Sequence, residues 1–163
     1  MIFMKKVLTR VGIFLALVCI LAFSTKMFFG GVQKPPATDL SEGVSKSIQS
    51  VLVGTTTVSV ELAQTEEKII RGLSGRESLL PDHGMLFVLP REFPAPFWMK
   101  EMNFPIDIIW ISRTKRVVHI EHSLSPQTYP QTFAPTENAL YVLEVPAGFS
   151  QSHAVRVGDP VIF

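Results

Sequence analysis

Cysteine is almost absent from this chain: its 163 residues hold one, Cys19. That residue lies inside an N-terminal apolar run, preceded by Leu17-Val18 rather than by the small residues that go before a lipid-modified cysteine, so it reads as membrane filler. The rest of the chain has no thiol, which excludes disulfides, thiolate zinc sites and a thiol nucleophile there. Also missing are a G-x-S-x-G elbow, a phosphate-cradling glycine loop, a dinucleotide fingerprint and a helical HExxH pair. His119-Ile120-Glu121-His122 does not replace the last of these, because on a strand only His119 and Glu121 share a face. No cofactor and no metal are expected, and no residue is put forward as catalytic.

Negative charge is missing from the beginning of the chain. Before Gly30 stand Lys5, Lys6, Arg10 and Lys26 with no acid, whereas from Gly30 onward 11 basic residues face 14 acidic ones. The overall charge of +1 therefore joins a basic head to a mildly acidic remainder. Nucleic-acid binding calls for a basic face on the globular part, so that partner class is not expected.

The basic head is followed by an uncharged apolar run from Val11 to Phe23, the layout of a secretory signal. It is shorter than the roughly 20 residues of a spanning helix, though Met27 to Phe29 extend it. Ala22-Phe23-Ser24 offers a cleavage site, and Lys26 to Phe29 resemble the interfacial flank of an uncleaved anchor. Residues 1–29 are thus a signal peptide or a membrane anchor, with the membrane contacted through residues 7–29. The positive-inside rule leaves the head cytoplasmic and the rest extracytoplasmic, tethered or, if cleaved, secreted. Residues 30–54, rich in Gly, Pro, Ser and Lys, read as a flexible linker. Val44, Ile48 and Val51 fall at helical spacing and suggest a short amphipathic turn near its end.

From Thr55 to Phe163 short apolar pieces alternate with turn residues, which predicts an all-β domain. Val58, Val60 and Leu62 alternate with polar residues as a half-buried strand does. One helix interrupts the pattern: Thr65 caps it, Glu66 and Glu67 suit its positive end, Ile69, Ile70 and Leu73 form its buried stripe, and Gly72 or Gly75 stops it. Strands are then expected at Met85 to Leu89, Phe97 to Lys100, Ile106 to Ser112, Arg116 to Glu121, Leu140 to Val145 and around Gly158-Asp159. The pair flanking Arg113-Thr114-Lys115 reads as a hairpin. About seven short strands with one helix point to a compact sandwich or small barrel. The prolines are expected at strand ends, where a missing N–H does least harm.

The blocks "RGLSGRESL", "DHGMLFVL", "FWMKEMNFPIDIIWI", "VVHI", "YVLEVPAG" and "VRVGDPV" occur in an order and with gaps that resemble the domain of unknown function number 192 family, over Val58 to Phe163. The resemblance implies a compact β-sandwich domain, often exported or membrane-anchored, with no assigned activity. Its pattern falls on Arg71, Gly72, Leu73 and Arg76, on Gly84 to Phe87, on Trp98 to Lys100, on Pro105 and Asp107, on Glu144 and Gly148, and on Gly158 and Asp159. Ser74 stands where members commonly have methionine, and Glu101 where they often have asparagine.

Charges inside apolar strands carry the functional reading. Alternation places Asp107 with Ile109 and Ile111, Glu144 with Val142 and Leu140, and Lys100 with Trp98. A lone buried carboxylate costs several kcal/mol unless a partner reaches it, and Lys100, Arg71 and Arg76 are the candidate cations. One reading is a structural ion cluster that pins the Arg71 to Arg76 turn to the sheet. The other is a pocket for a small anionic or sugar-like ligand, an envelope polymer or a partner protein, lined by Arg71, Arg76, Trp98, Lys100, Asp107 and Glu144. The leading expectation for function is an extracytoplasmic, membrane-tethered binding module. The alternative is a hydrolytic enzyme using Asp107 or Glu144 with an arginine-stabilised anion.

Overall fold

A computed structural model describes residues 49–163; the N-terminal apolar segment and all but the end of the linker lie outside them. The described part is mostly β. In chain order it runs β1 Ser50–Val53, β2 Thr56–Ala63, helix α1 Glu66–Arg71, β3 His83–Phe93, β4 Phe97–Trp98, β5 Ile106–Ile111 and β6 Val117–Leu124. A 3-10 turn at Pro126–Thr128 follows, then β7 Thr132–Phe133, β8 Ala139–Pro146, helix α2 Phe149–Ser152 and β9 Val161–Ile162.

Seven strands form one sheet in the order β6-β5-β8-β3-β2-β1-β9, and β4 pairs with β7 in a small second sheet. The large sheet curls until its two edges meet at one end. There Arg116 bridges Pro160, and the amides of Val117 and Val161 donate to the carbonyls of Asp159 and Lys115. The result is a half-barrel rather than a two-sheet sandwich. All seven strands contribute to the apolar cluster inside the curl, which includes Val51, Val58, Leu86, Ile109, Leu143 and Val161 and takes in Phe149 and Val155 from the segment around α2. The outer face carries a second cluster, Met85, Phe87, Ile108, Trp110 and Val142, covered by Leu73, Ala95, Met99 and Met102.

The pair β2 with β3 is parallel, the others antiparallel. A parallel step cannot be closed by a tight turn, so the chain must cross over, and α1 with the turn after it is that crossover. Thr65 caps α1 by accepting the Lys68 amide at 3.3 Å. Gly72 ends it at φ +50° and ψ −133°, a conformation that disfavours any residue with a Cβ. Ile69 packs against the outer cluster and Leu73 is buried, but Ile70, expected in the buried stripe, is 68% exposed. Six residues complete fewer than two turns, so the helix offers the sheet too narrow a face for three apolar residues.

Other expectations shift as well. Ser50–Val53, assigned by composition to the linker, is a strand hydrogen-bonded to β2 and β9, with Val51 and Val53 fully buried. The helical spacing that includes Val51 is therefore overridden by sheet pairing. Pro90 lies inside β3 rather than at its end, where the register with β8 shifts between Val88 and Phe93 and a missing N–H is tolerated. The β5–β6 hairpin forms as expected, with Lys115 at φ +56° in its turn. Among the described residues no helix is long and apolar enough to cross a membrane.

Candidate functional site

The two buried acids meet opposite fates. Asp107 is fully buried on the inner face with Ile109 and Ile111, as alternation predicts, but none of the three candidate cations approaches it. Its Oδ1 accepts the amides of Ser123 at 2.8 Å and Gly148 at 3.0 Å, and its Oδ2 accepts the amide of Ser150 at 2.8 Å. Backbone dipoles thus replace the expected ion pair, and the side chain pins the end of β6 to the turn that starts α2. That is a structural duty. Sequence could not show it, because the donors are backbone groups 16 to 43 positions away.

Arg76 is likewise committed. It forms a two-point ion pair with Glu61 of β2, Nη1 to Oε1 at 2.5 Å and Nη2 to Oε2 at 2.7 Å, and this hydrogen bonding holds the Glu61 carboxyl below its usual range. Lys100 lies outside, 3.8 Å from Glu101 and with its ammonium 6.0 Å from the centre of the Trp98 ring. Trp98 is 47% exposed and meets Tyr129 edge to face.

Glu144 is the exception. It sits on β8 facing the outer cluster beside Met85 and Val142, and its Oε2 is buried without a hydrogen-bond partner among the described residues. Burial pushes its carboxyl from 4.5 up to about 8, against the pull of the Arg76 guanidinium. Next to it opens a cavity of about 230 Å³, bounded by the Ile69–Ser74 turn on one side and the Phe93–Trp98 segment on the other. Phe87, Leu89, Phe93, Phe97 and Met102 wall it, and among the described residues Arg71 is its one basic lining residue.

Local structure explains why the opening persists. Gly72 has no side chain to fill it: a Cβ there would stand 3.4 Å from the Phe87 ring and 3.8 Å from Glu144 Oε2. The far wall is held by the Trp110 indole N–H, which donates to the Ala95 carbonyl at 2.9 Å, and by Phe97, set edge-on to Phe87 and Trp110 at 5.0 and 6.0 Å. Three bonds bolt the turn to the loop beyond β4: Ser74 Oγ to the Lys100 carbonyl, the Gly75 amide to the Glu101 carbonyl and Asn103 Nδ2 to the Arg76 carbonyl. Glu101 in that loop has φ +56°, a left-handed conformation that residues other than glycine and asparagine seldom adopt.

Of the six residues read from sequence as a site, Arg71, Trp98 and Glu144 line this cavity, while Arg76, Lys100 and Asp107 do not. The aromatic walls are not evident from the sequence. Their signal was the density of rings between Phe87 and Trp98, which reads equally well as strand core.

A match to the DUF192 family, described as "Uncharacterized ACR, COG1430", covers residues 49–163. The chain belongs to that family. It is 36% identical over 102 residues to a UPF0127 protein of Thermococcus gammatolerans, covering 61% of this chain and 63% of that protein. A UPF0127 protein of Thermococcus kodakarensis is 33% identical over 102 residues, covering 61% of each. The match thus spans about three fifths of the length of these curated relatives. A solved structure from Sinorhizobium meliloti 1021, of a protein suggested to be a transcription regulator, superposes with a TM-score of 0.66 at 30% identity, covering 69% of this chain and 91% of that one. One of a protein of unknown function from Novosphingobium aromaticivorans gives 0.66 at 29%, covering 70% and 84%. The family match therefore includes β1.

Two outcomes follow from the contrast between the acids. Asp107→Ala leaves three amides without their acceptor and should cost about 3 kcal/mol or more in a denaturant melt. Truncating Arg71, Arg76 or Lys100 in addition should recover nothing, because no charge is orphaned. Glu144 acts through pH. Its folded value lies above the unfolded one, so its contribution is fully present below about 4.5 and is lost as pH rises towards about 8. Relative to Glu144→Gln, the native protein should lose stability steadily over that window, by on the order of a few kcal/mol.

Proposed function

We propose that the DUF192 domain is a small-ligand binding module and that the cavity beneath the α1 crossover is its site. The observation that carries this reading is the unpartnered, buried oxygen of Glu144 beside an aromatic-walled opening. A buried polar atom without a partner is costly, and a ligand that supplies one recovers that cost inside the cavity. Apolar walls with few polar groups are the ordinary make-up of such sites.

The hydrolytic alternative gains little from this geometry. Asp107 and Glu144 lie on opposite faces of the sheet, so no cleft can place both at one bond. Ser74, the hydroxyl residue of the cavity lining, donates to a backbone carbonyl. Nucleic-acid binding by this chain would need a basic surface, and the sequence from Gly30 onward is net acidic.

The proposal also keeps the tether: the basic head and apolar run of the sequence support a domain outside the cytoplasm, anchored by residues 7–29. A reporter active only after export, fused behind Phe163, should give signal, and signal from a cytosol-only reporter would remove the tether.

The binding reading is tested by a thermal-shift screen of small aryl and aliphatic compounds. A hit should raise the melting temperature of the native chain, and Trp98→Ala should weaken it about tenfold, or about 1.4 kcal/mol. A set of hits indifferent to Trp98→Ala and to Glu144→Gln would place binding elsewhere and end this reading.

A further inference from the structure

We infer that the ligand is an organic anion: a small carboxylate with an aryl or aliphatic body, its head seated beside Gly72 and Glu144 in the cavity that Arg71 also lines. This rests on the binding reading above and adds the chemistry of the ligand.

The first support is the balance of charge at the lining. Among the described residues Arg71 is its one base and Glu144 its one acid. Arg71 forms no ion pair among the described residues, in contrast to Arg76, whose fork is occupied by Glu61. A cationic ligand would have to enter past an unneutralised guanidinium. An anionic one is drawn by it, and a planar fork matches a carboxylate at two points.

The second support is the state of Glu144. The charged and titratable groups around it are few: Arg76 acts on it from the turn after α1, Arg71 shares the cavity, and Glu61 of β2 is spent on Arg76. Its register partners on β3 and β5 are Met85 and Ile108, neither of them titratable. In that setting the carboxyl keeps its proton to about pH 8 and is a hydrogen-bond donor. A buried acid that stays neutral can donate to a bound carboxylate instead of repelling it. Gly72 makes room, since a Cβ would stand 3.8 Å from Oε2, in the space the head would use. Phe87, Phe97 and Met102 then receive the apolar body.

Proton linkage separates an anion from a cation. An anion beside Glu144 favours the protonated form, so binding takes up a proton once the free group has ionised, and affinity falls as pH climbs past about 8. A bound ammonium would do the reverse, releasing a proton at neutral pH.

The test uses the full chain in lipid nanodiscs, titrated calorimetrically with phenylpropionate, phenylpropylamine and phenylpropanol in buffers of different ionisation enthalpy. Phenylpropionate should bind about tenfold more tightly than the other two at pH 7 and weaken at least about tenfold by pH 10. Arg71→Gln, at an exposed position, should lose about tenfold, while Glu144→Gln should remove the weakening between pH 7 and pH 10. Tightest binding by the amine, with proton release, or equal binding by the alcohol, overturns the anion and leaves the binding reading standing. If none of the three binds and the thermal screen is empty, both fall.

Discussion

The alternation of side chains across paired strands is the constraint on which the rest depends. On β5 and β8, Asp107 stands opposite Val145 and Ile108 opposite Glu144, so the two acids are one register step apart. With a side-chain period of two, that single step sends them to opposite faces. Asp107 enters the inside of the half-barrel, where turn amides close on both of its oxygens. Glu144 enters the outer layer, where its partners across β3 and β5 are Met85 and Ile108 and no donor among the described residues reaches its Oε2. One acid becomes a structural pin. The other is left with an unmet demand.

The outer layer is open because of topology. The parallel β2–β3 pair obliges the chain to cross over the outer face, and the crossover is a helix of only six residues ended by a glycine. Such a short span covers Leu73 and half of Ile69 but does not reach across to Phe97. A longer helix would have closed the gap with its own side chains. Instead the turn is tied to the loop after β4 through backbone carbonyls, which fixes the width of the opening without filling it.

Much of this was legible in sequence, and what escaped was non-local. The alternation in Val58 to Leu62, the Thr65 cap, the Gly72 stop and the β5–β6 hairpin are short-range signals, and each appears in the structure. Alternation likewise sends Asp107 and Glu144 to the faces that their strand neighbours occupy. Ser50–Val53 looked like linker because its strand character comes only from its partners, β2 and β9. Sandwich and half-barrel have similar strand patterns and differ in whether edges meet, as Arg116 and Pro160 do. The partners of Asp107 were misjudged because cations are visible in a sequence and backbone amides are not. The aromatic wall was hidden because Phe87, Phe93 and Phe97 lie on two different strands whose approach is set by Trp110.

The central claim is that Glu144 remains a neutral acid beside the cavity at physiological pH. Its most direct test is an NMR titration of isotope-labelled glutamate carboxyl carbons, with the Glu144 signal assigned by its loss in Glu144→Gln. The account predicts a midpoint near 8 for that one signal. A midpoint near 4.5, the value of an ordinary glutamate, would mean that water or another donor reaches Oε2, and the cavity would lose the feature that makes it a site.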